Sequence, residues 1–212
     1  MSDRSPLVIV GAGGFGREVA ALVEAINDHD DTWSLVGFVD DDQTLQESSF
    51  LGYPVVGDVK WLARQENVFF AIAIGNTQSR RQIAQVLESS PVRPATLVHP
   101  SVSVHQSAEV GPGTIICEGV TPTVDLSIGA HVILNLQCTL GHDSIIGSFS
   151  TLHPGVHVSG SAHLATGVSM GTGSVVLPEV QINANCTVGA GAVVTKDIAP
   201  NQTVVGVPAR TL

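Results

Sequence analysis

From Val98 to Val194, every sixth residue is aliphatic. Val98, Val104, Val110, Ile116, Ile128, Leu134, Leu140, Ile146, Leu152, Val158, Leu164, Met170, Val176, Ile182, Val188 and Val194 share one register, and Pro122 substitutes without shifting it. A period of six suits neither an amphipathic helix nor a strand with one wet face. It suits a coil with flat sides six residues long, each side tucking one aliphatic residue inward. Three hexads close one triangular turn, so the series holds roughly five and a half turns. The composition agrees. Only 13% of residues are charged and 4% aromatic, which fits a narrow prism of Val, Ile, Leu and Ala better than a helical bundle rich in Glu, Lys and Arg.

Positions four after each repeat residue are mostly small or modest: Val102, Ala108, Thr114, Cys138, Ser144, Ala162, Ser174, Cys186 and Ala192. They are expected to fill the interior and corners, so Cys138 and Cys186 read as packing. Gly111, Gly129, Gly141, Gly147, Gly171 and Gly189 follow repeat residues directly, where a tight backbone turn is expected. The tail from Val204 to Arg210 leaves the register and is expected to run back along the prism. Such a stack is commonly completed by symmetric association, here a trimer.

Residues 1–95 follow another grammar. Apolar runs at Leu7–Val10, Leu35–Val39 and Phe69–Ile74 read as buried strands, and helical periodicity covers Arg17–Ile26 and Ser79–Leu87. Strand–helix alternation predicts a small parallel sheet, too short for two mononucleotide-binding halves. Pro91, Pro94 and Pro100 bracket the junction, giving domains 1–95 and 96–212. Gly11, Gly13 and Gly16 form a GxGxxG run between strand and helix, where backbone N–H groups favour phosphate. Gly11, Gly13, Gly14 and Phe15 are therefore candidate substrate contacts. Asp40 and Asp41 end the second strand, and Gly75 and Asn76 the third, on the sheet edge where ligands bind. A diphosphate-linked sugar suits half a dinucleotide fold better than a hydride carrier does.

The net charge of -10 argues against nucleic acid as a partner. No apolar stretch is long enough to span a bilayer, and MSDRSPLVIV lacks a secretory layout. Cys117, Cys138 and Cys186 are odd in number and unpaired by motif, which points to reduced, cytoplasmic thiols.

The hexapeptide series with its Val-Gly-Val-Pro-Ala-Arg ending (205–210) resembles the left-handed β-helix acyltransferases. With the Gly-rich α/β segment before it and Gly-His-Asp-Ser-Ile-Ile-Gly at 141–147, the whole chain is similar to the sugar acetyltransferases of the PglD/NeuD group. The resemblance implies a small Rossmann-like domain followed by a left-handed parallel β-helix in a homotrimer. It also implies acetyl-CoA as co-substrate and a nucleotide-linked amino sugar as acceptor. Asp40 and Asp41 would lie near the nucleotide's base or sugar. Acetyl-CoA would lie between neighbouring prisms, with Asn135, Gly141, Thr151, Gly171, Gly189 and Arg210 as contacts. The group often has a His where this chain has Thr151.

A thioester is already activated, so the protein needs chiefly positioning and a base. His142 lies two residues past a repeat position, able to point outward, and the motif match makes it the candidate base. Asp143 or another carboxylate could fix its tautomer. If both residues lay on a strand, their side chains would diverge, and the partner would come from a neighbouring subunit. His99, His105, His131, His153, His157 and His163 read as structural or interfacial. A related prism carries zinc in γ-type carbonic anhydrases, but the H-x4-H spacing of those enzymes is absent, and no metal is expected. The leading expectation is N-acetylation of a nucleotide-linked 4-amino-deoxysugar. Sugar O-acetylation of the sialic acid type and a non-catalytic trimeric scaffold are the rivals.

Overall fold

A strand without polar alternation must be covered on both faces, and Leu7, Val8 and Ile9 are fully buried. They lie in a computed structural model that describes residues 4–212. Two compact units are present, Met1–Pro100 and Ser101–Leu212.

The first unit runs β1 (Ser5–Val10), α1 (Gly14–His29), β2 (Trp33–Val39), β3 (Ser49–Phe50), β4 (Tyr53–Gly57), α2 (Val59–Leu62), β5 (Phe69–Ile72), α3 (Thr77–Glu88) and β6 (Arg93–Pro94). The sheet order is β3-β4-β2-β1-β5-β6. All neighbours are parallel except β3 and β4. Two differences from the sequence reading matter for the site. Helix α1 begins at Gly14 rather than Arg17, so the second half of the glycine run is the first helical turn. Helix α3 begins at Thr77 because the Asn76 side chain caps it, accepting from Ser79 N–H at 2.9 Å. Strand β4 was hidden by Pro54 and Gly57, which read as turn residues.

In the second unit, strand pairs stack one coil apart, for example Thr121↔Thr139, Ser127↔Ile145 and Ile133↔Thr151, in three parallel sheets. This is a parallel β-helix. Leu134, Leu140, Leu152, Leu164, Met170, Val176 and Val194 are fully buried along its axis, as are Thr114, Cys138, Ser144, Ala162, Ser174, Cys186 and Ala192. Val102 and Ala108, in the first coil, are only half-buried.

Two expectations are corrected here. The glycines directly after repeat residues are not turn glycines. Their backbone is ordinary, but a Cβ on Gly111, Gly129, Gly147 or Gly171 would sit about 2.5 Å from backbone atoms of the next coil. They are small because the coils touch there. The turn is made two residues later, where all fourteen positions from Gly113 to Gly191 in steps of six have φ between 53° and 74°. Eight are not glycine: Asp125, His131, Gln137, Asp143, Phe149, Ser161, Glu179 and Asn185. Left-handed backbone costs such residues about 1–2 kcal/mol each. Bonds between coils offset this, as when Gln137, Asp143, Phe149 and Ser161 donate N–H to Glu118, Val124, Ala130 and His142 carbonyls at 2.8–3.2 Å.

The tail does not run back along the prism. Thr203 and Val204 continue the stack on Thr187 and Val188, and the chain then reverses so that Arg210 pairs antiparallel with Val205. Ile198 bridges to Ile182, so this last coil is two residues short. Asp197 makes up the difference, its side chain accepting from Gln181 N–H at 2.8 Å. The hairpin covers what would be an open sheet edge.

Candidate active site

His142 and Asp143 form a prism corner, so the divergence expected of adjacent strand residues does not apply. Asp143 has φ 59°, and its left-handed backbone swings the carboxylate back beside the imidazole. His142 Nδ1 lies 2.7 Å from Asp143 Oδ2 within the same chain. An ionised carboxylate can only accept, so Nδ1 is the donor, and in a neutral ring the lone pair then lies on Nε2. The side chains are 65% and 59% exposed, flanked by exposed Val124 and Ile145. A groove of about 390 Å³ reaches the corner at Val124, one coil before His142, and is lined by Ser101, Ser103, His105, Thr121, Thr123 and Val124 among others. The Val124 carbonyl accepts from Asp143 N–H at 3.2 Å, which ties groove and pair together.

The residues expected to meet acetyl-CoA fare unevenly. Thr151 is 1% exposed, closed off from any ligand arriving from solvent. Strand pairing places it between Ile133 and Ser169, in the middle of a sheet. Asn135 is almost as buried, and its Oδ1 accepts from Leu136 N–H at 2.7 Å. Gly141, Gly171 and Gly189 are accounted for by close packing against Gly160, Ala190 and Val205. Arg210 is exposed and donates to the Ala209 carbonyl at 2.7 Å.

In the first unit, Gly11, Val39, Asp40, Asp41 and Ile74 line a small pocket at the C-terminal ends of β1, β2 and β5. Gly16 is required for packing, because a Cβ there would run into the Gly11 carbonyl. Around Gly13 there is open space, and as N-cap it adds no side-chain bond, which leaves the start of α1 open to an anion. Phe15 is half-buried in the same turn. Asp40 is engaged by its own fold: Oδ2 accepts from Ala12 N–H at 2.8 Å and Oδ1 from Asp42 N–H at 3.0 Å. Asp41 uses one oxygen to hold Val59 N–H at 3.0 Å. Gly75 and Asn76 lie at the same edge, with the Asn76 side chain spent on its cap.

Two arginines here escaped the sequence reading. Arg17 lies over the Phe50 ring, 5.6 Å from its centroid, with its guanidinium near Gly14. A cation in the first turn of a helix opposes the dipole. Buried Arg80 donates to the Ile74 and Gly75 carbonyls at 2.6 and 3.2 Å, and burial pushes its pKa down to about 9. Only Arg17 left a signal, as the cation directly after the glycine run.

Residues 6–87 match the family described as the PglD N-terminal domain. The chain is 31% identical to the GDP-perosamine N-acetyltransferase of Escherichia coli O157:H7, over 86% of this chain and 82% of that protein. The chain belongs to the PglD/NeuD-type sugar acetyltransferases. Among solved structures, the acetyltransferase domain of PglB from Neisseria gonorrhoeae FA1090 is similar at TM-score 0.91 and 31% identity, covering 99% of this chain and 100% of that one. PerB from Caulobacter crescentus, in complex with CoA and GDP-perosamine, is similar at TM-score 0.88 and 29% identity, covering 98% and 97%. Membership of this acetyltransferase family sets aside the non-catalytic scaffold. Among the described residues no group of three His, Cys, Asp or Glu could hold a metal ion, and no helix is long and apolar enough to cross a membrane.

Proposed function

We propose that this acetyltransferase moves the acetyl group of acetyl-CoA onto the amine of a nucleotide-linked 4-amino-deoxysugar, with His142 as general base. The observation that carries the reading is the 2.7 Å contact of His142 Nδ1 with Asp143 at an exposed corner, which leaves Nε2 for the proton transfer. Nε2 takes a proton from the sugar ammonium, and the freed amine attacks the thioester carbonyl. The new C–N bond forms as the C–S bond breaks, and the thiolate takes the amine's second displaced proton. Hydroxyls at Ser103, Thr121 and Thr123 suit the sugar ring in the adjoining groove. N-acetylation is favoured over O-acetylation because the GDP-perosamine enzymes matching both halves of this chain act on an amino group.

Residues 1–95 hold the nucleotide in this reading. The diphosphate sits against Gly11, Gly13, Gly14 and Phe15 at the start of α1, where Arg17 supplies the opposite charge. Asp41, Gly75 and Asn76 rim the nucleoside, and Asp40 fixes the loop. Residues 96–212 form a left-handed prism that associates as a homotrimer. Acetyl-CoA lies between prisms near Gly141, Gly171 and Gly189, with Arg210 free to meet a phosphate. An exposed catalytic pair beside exposed Val124 and Ile145 supports this, since acyl transfer is best screened from water by a neighbouring surface. Buried free thiols and the use of acetyl-CoA fit a cytoplasmic enzyme.

Replacing His142 with Ala should lower kcat about 10²–10⁴-fold while acetyl-CoA binding by calorimetry stays within about twofold. Turnover near that of the unmodified enzyme would sink the assignment.

A further inference from the structure

Fourteen positions lie two residues past a repeat residue between Pro112 and Ala190, and Gly160 is the only glycine among them. The others carry Pro, Glu, Val, Ala, Leu, His, Ser or Thr. Nothing in the backbone of Gly160 calls for glycine, since its φ is outside the left-handed region that the next corner residue, Ser161, adopts. What distinguishes the position is its neighbour. One coil earlier the same corner carries His142, and the two are locked together by Ser161 N–H donating to the His142 carbonyl at 2.8 Å. A Cβ on Gly160 would stand 2.6 Å from His142 Nε2, 2.8 Å from Cε1 and 3.1 Å from Cδ2. Those three distances place it over the ring face rather than off its edge.

We propose that Gly160 is a positioning residue for the general base: its missing side chain is the seat on which the His142 imidazole lies. The inference rests on His142 being that base. The Asp143 contact sets the tautomer but leaves the ring free to swing about the bond, because both side chains are largely exposed. The flat surface at Gly160 removes that freedom from one side. A methyl group there needs an ordinary contact of about 3.5 Å, so the ring must withdraw by about 1 Å. Withdrawal lengthens the 2.7 Å bond to Asp143 beyond hydrogen-bond reach and moves Nε2 off the acceptor amine.

The test is a cycle of Gly160→Ala, His142→Ala and the double variant, assayed as full-length enzyme. Gly160→Ala is expected to lower kcat about a hundredfold, the cost of a 1 Å misplacement. KM for both substrates should stay within about twofold and the thermal midpoint nearly unchanged. In the His142→Ala background it should cost nothing further. A hundredfold loss that persists in that background overturns the proposal, as does turnover within threefold of normal when His142→Ala is inactive. An active His142→Ala enzyme would instead refute the base itself. A crystal structure of Gly160→Ala decides independently of rates: a ring displaced from Asp143 supports the inference, and an unmoved ring overturns it.

Discussion

At the scale of the residue, Asp143 does two jobs with one conformation. Its left-handed backbone (φ 59°) turns the corner, and the same twist delivers the carboxylate to His142. Asn tolerates that backbone and can still accept from Nδ1, but it would bring no charge to the imidazolium that the proposed base mechanism forms. Asp143→Asn should therefore keep its thermal midpoint while kcat falls roughly tenfold, the difference between a charge-assisted and a neutral hydrogen bond. A larger loss of midpoint than of kcat would show the residue to be purely structural. His142 and Asp143 were legible because they sit together in one short motif. Gly160 was not, since its relation to His142 spans a full coil, and a glycine in a glycine-rich chain announces nothing. Asp40 was legible as a carboxylate at a strand end, whereas the bonds its oxygens accept from Ala12 and Asp42 N–H became visible only in the structure.

At the scale of the element, stacking overrides propensity. The hexad register was readable because burial imposes it on the coils, whereas the left-handed corners were not, because Gln137, Phe149 and Glu179 carry no local preference for them. The close contacts after each repeat residue predict a sharp penalty. In Gly147→Ala the new Cβ meets Ala165 and Thr166 backbone at 2.5 Å, which should cost about 1–3 kcal/mol. For a chain this size that is a fall of roughly 2–12 °C in midpoint by calorimetry. Cys138 gives a pH signature. Fully buried, with its Sγ donating to the His153 carbonyl at 3.2 Å, it has its pKa pushed by burial from 9.0 up to about 11. The folded chain holds this proton where the unfolded chain has lost it. The thiol's contribution is thus complete below pH 9 and drains away as pH rises toward 11, by about 2–3 kcal/mol. The stability difference between the normal protein and Cys138→Ala should shrink over that window. A difference that is flat from pH 8 to 11 would contradict the buried, protonated thiol.

At the scale of the whole molecule, the proposed division of labour gives the base and its groove to the prism and the nucleotide to the first unit. The pocket at Gly11, Asp40 and Asp41 belongs to the first unit. Arg17→Ala should therefore raise KM for the nucleotide sugar about tenfold, leaving kcat and the KM for acetyl-CoA nearly unchanged. An unaltered KM would remove Arg17 from the phosphate site. The strand order of the first unit was only partly readable, because β4 and β6 carry Pro54 and Pro94 and look like linkers. Light scattering should give three times the chain mass of 22.0 kDa if the prisms associate as proposed. The central claim is the chemistry, and one assay meets it directly. Purified enzyme is mixed with acetyl-CoA and a nucleotide-linked 4-amino-4-deoxysugar, or its 4-hydroxyl counterpart, while thiol release and product mass are followed. Thiol release should be matched by one acetyl gained on the amino sugar and none on the hydroxyl sugar. Equal transfer to the hydroxyl sugar, or no release with uridine, guanosine and thymidine diphosphate amino sugars alike, would contradict that claim.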